Sequence, residues 1–297
     1  MIKVERLTII GVGLIGGSFA RALRQANAVG EVVGYGRDER HLQRARELGV
    51  IDRWSTNPAE AVAGADLVVL AAPVGAMGAL FKAIQPALSP SAVVTDVGST
   101  KLSVIAAAKS VSGSMPARFV PGHPIAGTEK TGVEASFAEL FRERRVILTP
   151  TSETDPTVTT RVRALWQLTG AQVSEMSAEH HDQVLAATSH LPHVLAYALV
   201  DHLAAMDDRM EIFAYAAGGF RDFTRIASSS PEMWGDIACA NRDALTAVLD
   251  GYLLDLQQLR EAIARNDSEA ILTVFRRAKQ ARDRLIDLAG PNARTSA

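Results

Sequence analysis

A chain of 297 residues is too long for one ordinary hydrophobic core and suggests two domains. Hydrophobic residues make up 47% of the chain and charged residues 22%, a balance typical of globular proteins that excludes a disordered chain. The formal net charge of -2 gives no dominant field of one sign, so neither nucleic acid nor an anionic membrane is expected as a partner.

Short apolar runs alternate with helix-like segments through the first half of the chain. The predicted strands are residues 7–10, 31–35, 66–72, 92–96, 118–121, 146–149 and 172–176. Runs this short, bounded by Gly, Pro and Asp, fit strands buried on both faces of a parallel sheet. The segments between them, such as 19–26 and 40–48, are rich in helix formers. The alternation predicts a doubly wound α/β domain.

The strand pattern stops near Ser177. Residues 185–206, 243–263 and 269–288 instead carry apolar residues at helical spacing. We therefore predict an α/β domain over 1–177 and an all-α domain over 178–297. Helices with this much apolar surface and no sheet to cover often pair with a second subunit. We expect a homodimer formed through apolar residues such as Ile212, Phe213, Leu249, Leu253 and Leu256.

The cellular location is predicted from what the sequence lacks. Cys239 is the only cysteine, so an internal disulfide bond is impossible, as suits a reducing compartment. Residues 1–10 lack the long apolar stretch of a signal peptide. No segment reaches the roughly 18 uninterrupted apolar residues that suggest a membrane span. These features predict a cytoplasmic protein.

A glycine-rich loop follows the first predicted strand and opens a helix. Gly11, Gly13 and Gly16 form a G-x-G-x-x-G pattern that includes Leu14 and Ile15. The first glycine permits a tight turn, the second lets the backbone approach a pyrophosphate, and the third lets helix and strand pack closely. The helix N-terminus then binds the pyrophosphate. Although the motif alone is weak evidence, this strand–turn–helix context predicts a Rossmann-type dinucleotide-binding domain.

The end of the second predicted strand bears on the choice of cofactor. NAD enzymes place an acidic residue about 20 positions after the glycine loop, where it binds the adenosine ribose. Here Gly36 and Arg37 occupy that place, an arrangement that admits and pairs a 2′-phosphate. Asp38 lies nearby and could still reach the ribose. The pattern favours NADP and leaves NAD open.

Polar side chains that could take part in catalysis follow two further strands. Residues 96–101 (DVGSTK) follow one strand and include Ser99, and His123 follows the next strand between Gly122 and Pro124. In open α/β folds ligands bind at this carboxyl edge of the sheet. We expect His123 to lie in a loop facing the nicotinamide end, although an isolated histidine is structural as often as functional.

The helical half carries polar residues that are costly in an apolar setting unless they are paired or functional. His190 is as consistent with a structural role as with a functional one. Arg225, preceded by Phe223 and followed by Ile226, is expected to be partly buried and to need an anion.

Several separate motifs, in order along nearly the whole chain, resemble the prephenate/arogenate (cyclohexadienyl) dehydrogenases of tyrosine biosynthesis. They are GVGLIGGS at 11–18, DVGSTK at 96–101, GHPIAGTEKTGVE at 122–134, VILTPT at 146–151, SHLPH at 189–193, GGFRDFTRIA at 218–227 and PEMW at 231–234. Two positions depart from the pattern. Ala217 stands where members often have a third glycine, and Gly36-Arg37 stands where NAD-using members carry Asp.

The resemblance implies an oxidative decarboxylation in which hydride leaves C4 of a cyclohexadienol, CO2 leaves C1 and the ring becomes aromatic. It implies that His123 is the base for the 4-hydroxyl proton, that Ser99 holds that hydroxyl, and that Arg225 binds the substrate carboxylate. His193 matches a substrate-contacting histidine. The remaining matches are pocket positions and acidic residues that network with Arg225 and gate entry: Thr128, Gly218, Trp234, Glu129 and Asp182. A dimer of helical domains is also implied.

Two other functions remain open at this stage. A β-hydroxyacid dehydrogenase shares the predicted architecture but depends on a lysine in the helical domain, and no lysine lies between Lys130 and Lys279. A non-catalytic dinucleotide sensor would have no reason to combine His123, Ser99 and Arg225. No metal site is predicted.

Overall fold

The computed structural model describes residues 3–128, 130–206 and 209–289. Two compact units are present, Met1–Leu245 and Thr246–Ala297. Among the residues that the structure describes, the first unit holds the strands and the candidate site residues. The domain boundary predicted at residue 177 stays a prediction.

A six-stranded parallel sheet forms the centre of the first unit. Its strands are β1 (Val4–Ile10), β2 (Val29–Tyr35), β3 (Arg53–Ser55), β4 (Leu67–Leu70), β5 (Val93–Asp96) and β6 (Phe119–Val120). They lie in the order β3-β2-β1-β4-β5-β6. This is the order of a Rossmann fold, and it reverses direction between β1 and β4, where the carboxyl ends of the strands leave a crevice for ligands.

Helices cover both faces of this sheet, as the apolar runs predict. They are α1 (Leu14–Gln25), α2 (Glu39–Glu47), α3 (Pro58–Val62), α4 (Met77–Ile84) and α5 (Leu102–Ser112). Successive side chains of a strand point to opposite faces. Ile9 therefore packs in the core that contains Phe19 and Trp166, while Ile10 packs in the other core with Phe81 and Phe119.

A second, three-stranded sheet was not predicted. It consists of β7 (Gly122–Pro124), β8 (Arg145–Leu148) and β9 (Gln172–Glu175), with α6 (Pro156–Leu168) between the last two strands. β7 is antiparallel to β8, and β9 is parallel to β8. The prediction of one parallel sheet was therefore wrong for the last two predicted strands. β3 and β7 were missed because neither is an apolar run.

The remaining elements are helical, and no strand follows Glu175 among the described residues. They are α7 (Ala178–Leu185), a π-helical turn (Ala186–His190), α8 (Leu191–Ala204), α9 (Arg209–Ala214), α10 (Gly218–Thr224), a 3-10 turn (Arg225–Ser228), α11 (Pro231–Ala240), α12 (Arg242–Ala264) and α13 (Ser268–Ala289). Across the described ranges, none of the helices is both long and apolar enough to cross a bilayer.

The second unit exposes apolar side chains on its two helices. They are Leu253, Leu254, Leu256, Ile263, Leu272 and Phe275, with exposed fractions between 39% and 58%. The predicted contact residues Leu253 and Leu256 are among them. Phe213 and Leu249 are half-buried, and the side chain of Ile212 lies outside what the structure describes.

Candidate functional site

The glycine loop has the local geometry predicted for it. Gly11 has a φ of 98°, and a Cβ there would lie 2.4 Å from the Ala71 carbonyl oxygen. A Cβ at Gly16 would lie 2.5 Å from the Gly11 carbonyl oxygen and 2.6 Å from Cγ2 of Ile9. Both positions therefore require glycine, the first for a left-handed turn and the second for close packing of α1 on β1.

The space in front of this loop fits an anion. A Cβ at Gly13 would meet no heavy atom within 4 Å, so the backbone there is open to a ligand. Gly13 is the N-cap of α1, and no side chain caps the helix, which begins at Leu14 and Ile15. Uncapped N–H groups and the positive end of the helix dipole favour a phosphate at this position.

The end of β2 presents Arg37 to solvent. Asp38 is the N-cap of α2, where its carboxylate accepts hydrogen bonds from the backbone N–H groups of Arg40 (2.9 Å) and His41 (3.5 Å). The carboxylate of Asp38 is thus already engaged in helix capping.

A buried ion pair lies at the carboxyl end of β5. Lys101 and Asp96 are both fully buried, and the ammonium group of the lysine binds the carboxylate. Nζ of Lys101 also donates to the Gly122 carbonyl oxygen (2.6 Å), and Oδ1 of Asp96 accepts from the Gly122 N–H (3.0 Å). The pair therefore ties the loop that carries half-buried Ser99 to the start of β7, next to His123.

His123 lies in strand β7, so its prediction as a loop residue was wrong. Pairing with β8 fixes its backbone, because His123 is in register with Ile147. Its Nδ1 lies 2.9 Å from Nε2 of His181, and Nδ1 of His181 lies 2.8 Å from Oδ1 of Asp182. The three side chains form one hydrogen-bonded line, and the last two are 0% and 1% exposed.

Asp182 lies in the buried part of the site. Its two carboxylate oxygens also accept hydrogen bonds from the backbone N–H groups of Lys101 (2.8 Å) and Leu102 (2.9 Å), at the start of α5. The gating role that the resemblance implies for Asp182 stays a prediction. Burial would raise the pKa of Asp182, but the hydrogen bonds from His181 and the two backbone groups outweigh it and lower the pKa.

A second polar cluster extends from α7, the helix that contains Asp182. The side-chain amide of Asn241 donates to the Asp182 carbonyl oxygen (2.8 Å) and to Nδ1 of His190 (3.0 Å). His190 is 1% exposed, so it belongs to a buried network rather than to the protein surface. Nε2 of His190 and Nε1 of Trp234 are buried without a hydrogen-bond partner in the described part of the chain. Buried N–H groups of this kind suit an acceptor atom of a ligand.

The predicted substrate residues His193 and Trp234 lie together. Their rings stack with centroids 3.4 Å apart and planes at 18°. Nδ1 of His193 bonds the Ser189 carbonyl oxygen at 2.9 Å, which leaves Nε2 for other partners. A cavity of about 230 Å³ opens beside the stack and is lined by His193, Val194, Tyr197, Pro231, Trp234 and Gly235.

Burial lowers the pKa of three histidines of the site. It holds the pKa of His123 well below the ordinary value, and the positive charge of Lys101 acts in the same direction. Burial also lowers the pKa of His190 to about 4 and lowers the pKa of His193. A neutral imidazole at His123 is able to accept a proton.

The other predicted substrate residues are at the surface. Arg225 begins a 3-10 turn and is exposed, so its predicted partial burial was wrong, and neighbouring Phe223 is also 47% exposed. Thr128 is exposed and its hydroxyl group shares hydrogen bonds with the Lys130 backbone. Gly218 is exposed at the start of α10. Glu129 lies outside the described residues.

Sequence reasoning gave no role to His181 or Asn241, nor to the side chain of Lys101. The spacing in α7 carried a usable signal for the first, because residues 178, 181, 182 and 185 follow helical periodicity and all four are buried. Asn241 follows α11 and carried no such signal. Within the ranges described, no group of three or more His, Cys, Asp or Glu side chains could hold a metal ion.

Family models match almost the whole chain. The model described as "Prephenate dehydrogenase, nucleotide-binding domain" matches residues 19–175, and "Prephenate dehydrogenase, dimerization domain" matches residues 177–277.

Characterised relatives and a solved structure agree with the family models. The cyclohexadienyl dehydrogenase of Zymomonas mobilis is 43% identical over 285 residues, covering 95% of this chain and 96% of that protein. The prephenate dehydrogenase of Bacillus subtilis is 35% identical over 285 residues, covering 95% and 76%. The crystal structure of A. aeolicus prephenate dehydrogenase with hydroxyphenyl propionate and NAD+ has a TM-score of 0.89 and 38% identity, covering 96% of this chain and 99% of that one. The chain therefore belongs to the prephenate dehydrogenase family and is a dehydrogenase with a nucleotide-binding domain.

Proposed function

We propose that the protein oxidatively decarboxylates prephenate or arogenate to 4-hydroxyphenylpyruvate or tyrosine, with His123 as the base. The observation that carries this proposal is the state of the His123 ring. Its Nδ1 faces His181, burial holds its pKa well below the ordinary value, and it is held on β7 beside the Ser99 loop at the carboxyl edge of the Rossmann sheet. Nε2 is thus the nitrogen left for a substrate proton.

The glycine loop fits the cofactor that this reaction needs. Gly11, Gly13 and Gly16, with the N–H groups at Leu14 and Ile15, would hold its pyrophosphate. NAD(P)+ supplies the hydride acceptor when it is bound. Because Arg37 is free of the sheet and Asp38 caps α2, we propose a preference for NADP over NAD.

The protein's own groups then have distinct tasks. His123 takes the 4-hydroxyl proton at Nε2 as the C4–H bond breaks. This transfer prevents a positively charged, protonated carbonyl group from building up at C4. Ser99 holds the same hydroxyl group from its loop. Arg225 attracts a substrate carboxylate, and the stacked pair of His193 and Trp234 lines the pocket. Thr128 and Gly218 complete it.

We further propose that the protein is a cytoplasmic homodimer. The match of residues 177–277 to a dimerization domain supports a dimer, as do the exposed apolar side chains of α12 and α13. Burying them between subunits removes them from water. Light scattering at micromolar concentration is expected to give twice the chain mass of 31.7 kDa, and a monomer mass contradicts the proposal.

A spectrophotometric assay tests the activity directly. Formation of reduced cofactor is followed with prephenate and with arogenate, each with NADP and with NAD, for the wild type and for His123→Asn. We expect turnover of at least one pair by the wild type and a large loss of kcat in the variant. A small β-hydroxyacid serves as the control substrate. Its turnover in place of the cyclohexadienols would refute the proposal.

A further inference from the structure

The hydrogen-bonded line of His123, His181 and Asp182 determines which ring nitrogen carries each proton. It joins β7 to α7 through contacts of 2.9 Å and 2.8 Å. Each contact between two polar atoms needs one donor and one acceptor. The direction of both bonds can therefore be worked out from the end that has a known charge.

That end is Asp182. Its carboxylate oxygens accept from two backbone N–H groups at the start of α5, so the group is an ionised acceptor. Nδ1 of His181 must then carry a proton and donate it to Asp182. In the neutral form of His181, Nε2 has a lone pair and accepts from Nδ1–H of His123. Nε2 of His123 is left without a proton.

We propose that His181 and Asp182 are positioning residues that hold His123 in the tautomer with Nδ1 protonated and Nε2 free to take the substrate proton. This inference rests on the proposed function, in which His123 is the base. In the opposite tautomer, Nε2 of His123 would carry a proton and could not act as a base.

The same line offers a path for the proton that is taken up. When Nε2 of His123 gains a proton, Nδ1–H of His123 passes its proton to Nε2 of His181. His181 becomes the imidazolium and keeps its bond to the Asp182 carboxylate. No proton is lost, and the transfer reverses when His123 returns to its starting tautomer. The positive charge moves from His123 to His181, closer to the Asp182 carboxylate.

The charged groups around His123 favour this transfer. The ammonium group of Lys101 lies at the Gly122 carbonyl oxygen, next to His123, and disfavours a positive charge on His123. Asp96 is paired with Lys101. His181 is instead in direct contact with Asp182, which makes it the better site for the charge.

Two substitutions at position 181 separate this role from a merely structural one. In His181→Asn the short amide stands near the place of Nδ1, keeps a bond to Asp182 and leaves Nδ1–H of His123 without an acceptor. In His181→Gln the longer amide reaches the place of Nε2 and can accept from His123. The control is His180→Gln, a change at the adjacent exposed histidine of the same helix.

We expect kcat to fall by about tenfold or more in His181→Asn, a part of the range of general-base catalysis, with KM for substrate and cofactor little changed. His181→Gln should recover part of the loss, and His180→Gln should equal the wild type. If His181 only fills space beside Asp182, Asn will be tolerated as well as Gln or better, which overturns the proposal.

Nitrogen-15 NMR of the imidazole rings of the wild type tests the tautomer without relying on activity or on the stability of His181→Asn. The chain has 7 histidines, and His123→Asn identifies the signals of His123 by difference. At neutral pH we expect Nδ1 of His123 to be protonated and Nε2 bare in the wild type. Protonation at Nε2 refutes the proposal even in an active enzyme. Absence of activity with every substrate instead refutes the proposed function and leaves the tautomer result standing.

Discussion

Replacing Lys101 with Met should strongly destabilise the protein. Both partners of the Asp96–Lys101 pair are fully buried, so the substitution leaves a carboxylate in the interior without its cation. The Gly122 carbonyl oxygen also loses the ammonium donor that lies 2.6 Å away. The variant therefore breaks an ion pair and a hydrogen bond in one step.

The magnitude follows from what remains around Asp96. Breaking a buried pair from one side costs about 3–5 kcal/mol, and an unsatisfied buried carbonyl costs about 1–3 kcal/mol. Asp96 keeps two backbone donors, the N–H groups of Gly98 (2.8 Å) and Gly122 (3.0 Å), which place the total near the lower bound. We expect the free energy of unfolding to fall by about 4 kcal/mol.

Thermal unfolding followed by circular dichroism measures the effect. For a unit of this size 1 kcal/mol corresponds to about 2–4 °C, so Tm should fall by about 8–16 °C. Lys82→Met, at an exposed lysine on α4, is the matched control and should change Tm little. Protein concentration must be the same for all variants, because dimerisation raises apparent stability. Equal Tm values for the two variants would refute the reasoning.

Three further predictions concern the site. His123→Asn should lower kcat by about 10²–10⁴-fold. Because the pKa of His123 lies well below its ordinary value, wild-type kcat/KM should stay constant as the pH falls to about 6.5 and decline only below it. A decline centred at a higher pH contradicts this prediction. A His123→Asn variant that keeps the wild-type rate contradicts the role of His123 as the base. Arg37→Ala should reduce the preference for NADP over NAD by about 10–100-fold, since a charged hydrogen bond contributes about 1.5–3 kcal/mol; the assignment is wrong if the wild type already prefers NAD in kcat/KM. Arg225→Ala should raise the substrate KM by about 10–100-fold, the range for a hydrogen bond at an exposed charge rather than a buried one, while the cofactor KM stays unchanged; equal changes in both would contradict it.

The parallel sheet could be predicted from sequence because its strands are buried on both faces. Such strands must be continuous apolar runs, and residues 66–72 and 92–96 are clear examples. β7 could not be found in this way. Gly122–Pro124 is three residues long, contains no apolar run, and is defined by its pairing with β8. β7 is a strand because it pairs with β8, which is distant in sequence. The periodicity of apolar residues gives no information about such pairing.

The site was predicted unevenly for a related reason. Glycine requirements at Gly11 and Gly16 are local, so the strand–turn–helix context was enough to find them. Arg225 was misjudged because apolar neighbours in sequence were taken to mean burial, whereas Arg225, at the start of a 3-10 turn, and Phe223, near the end of α10, are both exposed. His181 was detectable, because it shares the buried face of α7 with Ala178 and Leu185 while His180 points outward.

Lys101 links the two buried arrangements around His123. Its side chain pairs with Asp96, and its positive charge adds to the effect of burial, which holds the pKa of His123 well below the ordinary value. Its backbone N–H, 2.8 Å from Asp182, helps to keep that carboxylate ionised at the far end of the hydrogen-bonded line. A base must be unprotonated before the reaction and must then carry a positive charge during it, and one group cannot favour both states. Placing the ammonium beside His123 and the carboxylate beside His181 meets the two requirements at different rings. A buried lysine and a buried aspartate, each costly alone, are therefore both useful at this site.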